Sequence, residues 1–188
     1  GGGLIWTTEH RHLMRYLGQP DNSGIERGGS NCGIIGRHAF QIVDSVAYWM
    51  GINGFWRYAG YVEPLASDVG DDVFANLNVS YLRKVWCLHN AQFGEVWWFY
   101  PRSAATECSH YVIYNYRENH WNHGTLARNT GFPQGVFDWP VMVTAAGAMM
   151  KHETAFSYDS ATREAVSGPV EIGDGERRMQ IDEFIPDE

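Results

Sequence analysis

The sequence predicts an all-β fold built from repeated four-stranded antiparallel units, a partial propeller with one short linking helix. Three observations carry that expectation. Aromatic residues make up 14% of the 188, with eight Trp and ten Tyr, while charged residues reach only 19%; that balance favours pleated, aromatic-rich packing over a coiled coil or a disordered chain. Short runs of β-branched and aromatic residues recur along the chain, punctuated by Gly, Asn, Asp and Pro. The pairs Tyr48-Trp49, Trp97-Trp98 and Met149-Met150 recur about every fifty residues, the size of a propeller blade. A β-sandwich with irregular hairpins is the alternative architecture.

The first unit, approximately residues 4–36, opens with strands at 4–8 and 12–17. Residues 19–30 read as a polar, Gly-rich loop: Pro20-Asp-Asn-Ser-Gly24 combines side chains that bond their own backbone with a residue that tolerates positive φ. The second unit, 37–66, holds runs at 39–44, 46–50, 54–58 and 61–65, the last at a sheet edge because Pro64 cannot donate to a ladder. Residues 67–82 break the strand grammar. Val69, Val73, Phe74 and Leu77 recur at helical spacing, Ser67 suits an N-cap, and Asp68, Asp71 and Asp72 suit the positive end of a helix dipole.

The third unit, 84–128, carries the densest stretch, Glu95-Val-Trp-Trp-Phe-Tyr-Pro101, followed by Tyr111-Val-Ile-Tyr-Asn-Tyr116. Residues 102–109 supply turn chemistry between them, and the polar turn 115–119 is followed by Trp121. A fourth unit, 135–185, is expected from runs at 136–144, 148–152 and 156–158, then 165–172 and 179–185 around a Gly173-Asp-Gly175 turn. The Gly1-Gly-Gly start and the strand-like run before the last residues predict a piece of a longer chain.

A net charge of -8 argues against a broad electrostatic footprint for nucleic acid. No apolar run approaches the ~20 residues of a membrane-spanning helix. Cys32, Cys87 and Cys108 are odd in number and lack CxxC spacing, so they predict free buried thiols.

Eight histidines offer the main chemical possibility, and two pairs have ligand-like spacing. His10 and His12 alternate on a strand and so share a face, where neutral imidazoles could hold Zn. His120 and His123, three apart on a strand, point to opposite faces unless a bulge intervenes. No third ligand stands at a motif distance and HExxH is absent, so neither a metal nor a catalytic residue is expected. Cys108-Ser-His110 places nucleophile types beside a base, but no cation fixed by the sequence lowers the thiol pKa. Trp56, Trp97, Trp98, Trp121 and Trp139 could stack sugars or bases, with core packing the stronger expectation.

Taken in order, the motifs resemble a known family. They are Leu4-Ile-Trp-Thr-Thr8 with His12-Leu-Met-Arg-Tyr16, Asn31-Cys-Gly-Ile-Ile-Gly36, Val46-Ala-Tyr-Trp-Met-Gly51 and Phe74-Ala-Asn-Leu-Asn78, then Glu95 to Pro101, Tyr111 to Tyr116 and Gly124-Thr-Leu-Ala-Arg128. Their run is similar to tailed-phage virion structural proteins, the propeller-bearing components of tails and packaged-DNA stabilisation machinery. The resemblance implies a non-enzymatic scaffold in the virion, assembled in the host cytoplasm, docking to other virion or tail proteins and to further copies of itself. Two other functions are weighed against it: a small metal-assisted hydrolase using zinc on the histidines, and a carbohydrate-binding module using exposed Trp.

Overall fold

In the computed structural model, residues 2–135 and 137–154 are described, and their regular structure is mostly strand. Four antiparallel meanders follow one another in chain order. The first is three-stranded: β1 (Gly2–Trp6), β2 (His10–Gly18) and β3 (Asn22–Ser30). The next two are four-stranded. One comprises β4 (Phe40–Val43), β5 (Val46–Met50), β6 (Phe55–Tyr58) and β7 (Val62–Leu65). The other comprises β8 (Trp86–Asn90), β9 (Glu95–Tyr100), β10 (His110–Asn115) and β11 (His120–Thr125). The last contains β12 (Thr130–Phe132), β13 (Val141–Val143) and β14 (Met149–Lys151).

The order of the sheets follows from which faces they bury. Cys32, Ala47 and Trp49 pack with Leu4 and Trp6, joining the first sheet to the second. Tyr48, Met50 and Phe55 pack against Val96, Trp98 and Val112, joining the second to the third. Trp86, Leu88 and Phe99 pack against Met142, joining the third to the fourth. Alternate residues of a strand point to opposite faces, so along β5 and β9 every residue of one parity serves one core and every residue of the other parity serves the next. A strand buried on both faces reads as an unbroken apolar run, which is why Val-Trp-Trp-Phe-Tyr shows no polar alternation. Three separate cores replace the single one that a sandwich would have. The first strands are neighbours, β4 beside β8 and β8 beside β12, and His38 bridges Trp86 in parallel. That is blade-like stacking, and among the described residues it does not close into a ring.

Indole N–H groups stitch the sheets together. Trp49 donates to the Cys32 carbonyl at 2.9 Å, Trp98 to Ala39 at 3.1 Å, Trp86 to Arg128 at 3.0 Å and Trp121 to Ala66 at 2.8 Å. Each bond gives a large, at least partly buried aromatic the partner its polar atom needs.

Three expectations need correction. Residues 22–30 are not loop but strand β3, because pairing with β2, Met14 opposite Ile25 and Leu13 opposite Glu26, outweighs a composition poor in strand formers. The helix expected over 67–82 is split into α1 (Gly70–Ala75) and a 3₁₀ turn (Val79–Lys84), and Val69 rather than Ser67 precedes it. The cause is local. Asn76 Nδ2 donates to the Asp72 carbonyl at 2.9 Å, and Asn78 Oδ1 accepts from the Ser80 amide at 3.1 Å, so two asparagine side chains compete with the helical ladder.

In the fourth sheet the second strand is Val141–Val143, and Met149-Met150 falls on the third. Met142 is buried while Met149 and Met150 are exposed, so the unit begins at Thr130 and the fifty-residue repeat does not run through Met149-Met150. The runs expected at 156–158, 165–172 and 179–185, and the 173–175 turn, lie outside the described residues.

Candidate functional site

His10 and His12 do share a face of β2, with ring centroids 6.3 Å apart. Their surroundings are wrong for a cation: Arg27 Nη2 lies 3.3 Å from His10 Nδ1, and the nearest carboxylate, Glu9, is 3.8 Å from Nε2. The second pair divides as β11 geometry requires. His120 Nδ1 sits 3.4 Å from Glu118, and His123 Nδ1 lies 3.7 Å from Asp72 Oδ2. Among the described residues no three His, Cys, Asp or Glu side chains are grouped to hold a metal.

His123 belongs instead to a polar cluster that no spacing in the sequence announces. Arg102, just after β9, forms a two-pronged pair with Asp72 of α1, at 2.7 and 2.9 Å. Those hydrogen bonds hold the Asp72 carboxyl below the usual carboxylate range. Beside them, His110 has Ser109 Oγ 3.0 Å from Nδ1 and Thr125 Oγ1 3.3 Å from Nε2. Burial first, then the Arg102 charge, lower the His110 pKa from its ordinary value.

The Ser109–His110 contact looks like half of a nucleophilic dyad. Both ring nitrogens are already engaged by hydroxyls, however, and Asp72 is spent on Arg102 rather than orienting the ring, so the base–orienter geometry is missing. Cys108 is no better placed. Its thiol donates to the Lys84 carbonyl at 3.3 Å, and burial, helped by Glu107, pushes its pKa up to about 12, leaving it protonated and a poor nucleophile.

Two further features lie outside those histidines. The Arg11 guanidinium is buried, 4.2 Å above the Tyr58 ring, and its Nε and Nη1 find no hydrogen-bond partner among the described residues. A half-open cavity of about 620 Å³ lies where β4, β8 and β12 converge, with His38, Arg83 and Lys84 on its wall. Neither was legible beforehand: Arg83 and His38 are forty-five positions apart and meet only because first strands neighbour each other.

The indoles form no open platform. Trp98 is fully buried, Trp97 stacks on Phe99 and Tyr111, and among the described residues only Trp139 of the tryptophans counts as exposed. No protein-family model matches the chain, and no curated protein matches it.

Proposed function

We propose that this chain is a non-enzymatic structural module of a tailed-phage virion, a β scaffold that works by docking to other virion or tail proteins and to copies of itself. The observation that supports it most is the uneven covering of the sheets. Both four-stranded sheets have a neighbour on each face, whereas among the described residues β1–β3 packs only against the second sheet, and its hairpin leaves Tyr16, Leu17 and Ile25 at 70%, 60% and 63% exposure. Apolar residues concentrated on one element at the end of a stack mark an interaction surface rather than scattered surface noise. The nine-residue edge strand β3 adds unpaired backbone groups that another strand can meet. No helix among the described residues is long and apolar enough to cross a membrane.

Sedimentation of the full chain over a wide concentration range tests the reading. The wild type is expected to self-associate, and Tyr16→Lys combined with Ile25→Lys to shift it toward monomer with an unchanged circular dichroism spectrum. A wild type that stays monomeric throughout would sink the proposal.

A further inference from the structure

The cavity where the first strands converge has a chemistry that the scaffold reading does not use. The chain as a whole is acidic, yet this wall gathers His38, Arg83 and Lys84, from two segments held together by the parallel His38–Trp86 bridge. The approach is close: a Cβ on Gly36 would stand 2.9 Å from the Leu82 carbonyl oxygen and 3.5 Å from Arg83 Cα. Glycine there lets the two basic stretches lie side by side.

Only one of the cations is neutralised. Lys84 pairs with Glu107, whose other carboxylate oxygen accepts from Asn129 Nδ2 at 2.7 Å. Arg83 is exposed and has no carboxylate within ion-pairing distance among the described residues. The lining also includes the apolar side chains of Phe40, Ile42 and Trp86. A concave site in the range of roughly 300–1,000 Å³ with an apolar wall and a few convergent polar groups is the usual form of a small-molecule site.

We propose that this cavity binds a small organic anion, a phosphate or carboxylate attached to a planar apolar group. Arg83 takes the anion by charge-assisted hydrogen bonds, for which its planar fork is suited. Phe40 and Ile42 cover the apolar part. Glu107 acts as a competing internal anion that occupies Lys84 until a ligand arrives.

Phenyl phosphate is the probe, titrated calorimetrically into the full chain at low salt, with inorganic phosphate and phenol as separate arms. Phenyl phosphate is expected to bind saturably and more tightly than either fragment. Arg83→Gln, at an exposed position, should weaken binding about tenfold or more without shifting the thermal midpoint. Glu107→Gln should strengthen it several-fold by releasing Lys84, a gain that a purely structural role for Glu107 does not produce. Absence of saturable binding, equal affinity for phenol, or Arg83→Gln binding as tightly as wild type would each overturn the proposal.

Discussion

The sheet β8–β11 and the sheet β1–β3 are made from the same chain by the same meander topology, yet they differ in almost every physical respect. In β8–β11 the central strand β9 sends Val96, Trp98 and Tyr100 into one core, and Trp97 and Phe99 toward another. In β1–β3 the central strand β2 buries one residue completely, Arg11, and exposes four in succession from Met14 to Leu17. A sheet owes its stability to what covers its faces more than to its ladder, because net hydrogen-bond energies are small beside the burial of aromatic area. The difference teaches that the stack is most deeply buried in its middle and, among the described residues, far more open at its first sheet.

The largest expected effect comes from breaking the middle. Trp98 is fully buried, lies 5.1 Å from the Phe55 ring and 6.2 Å from Trp121, and donates to the carbonyl of Ala39, just before β4. Trp98→Ala removes that packing and the indole hydrogen bond, leaving the Ala39 carbonyl with only the Met50 amide at 3.0 Å, so it should cost about 3–5 kcal/mol, read as a lower denaturant midpoint. The comparable change at the first sheet, Tyr16→Ser, should move the midpoint by less than about 0.5 kcal/mol, the usual range for an exposed site away from any special feature. Equal losses would show that the two sheets are equally buried in solution.

The same contrast explains what could be read from the sequence. The strands of the two middle sheets were legible because burial on both faces demands continuous apolar runs, and those runs stand out from their Gly- and Asn-rich turns. Strand β3, Asn-Ser-Gly-Ile-Glu-Arg-Gly-Gly-Ser, was illegible because most of its residues are exposed and its strand character comes from β2. The helix was half legible. Its acidic first turn is visible in Asp71 and Asp72, but its early end depends on Asn76 and Asn78 tying the chain to residues 101–105, where Pro101 and Ala105 offer carbonyls to Asn78. The site residues were the least legible. Asp72 and Arg102 are thirty positions apart and meet across α1 and the end of β9, while the histidine pairs, spaced like ligands, turned out to face an arginine and isolated carboxylates.

Acid should distinguish the two regions next. His89 of β8, 3.0 Å from the Tyr116 hydroxyl, and His110 of β10 both have pKa values lowered mainly by burial, and His152, beside Arg128, behaves alike. The unfolded chain therefore binds more protons than the folded one as pH drops past the ordinary histidine value of about 6.5, and stability declines from there downward. A second decline follows below about pH 4 as Asp72, held low by Arg102, is protonated. The thermal midpoint should fall between pH 7 and pH 5, by less than Trp98→Ala lowers it, because the rings are partly solvated. His89→Gln should flatten that slope. A slope untouched by His89→Gln would move the titrating group elsewhere.

The smallest expected effect concerns Arg11, where the first sheet meets the second. A buried guanidinium without a carboxylate is costly, and here the Tyr58 face offsets part of that cost, while among the described residues Nε and Nη1 go without acceptors. Replacing such a charge by an apolar side chain of similar length is often neutral or stabilising. Arg11→Met keeps the contact with Tyr58 and deletes the unpaired donors, so its denaturant midpoint should equal or slightly exceed that of the wild type. Arg11→Ala should do worse than Arg11→Met, since the stem that packs on Tyr58 would be lost as well. If Arg11→Met instead costs more than about 1 kcal/mol, the size of a lost hydrogen bond, the guanidinium has an anionic partner in solution. The first sheet would then be less open than its exposed hairpin suggests.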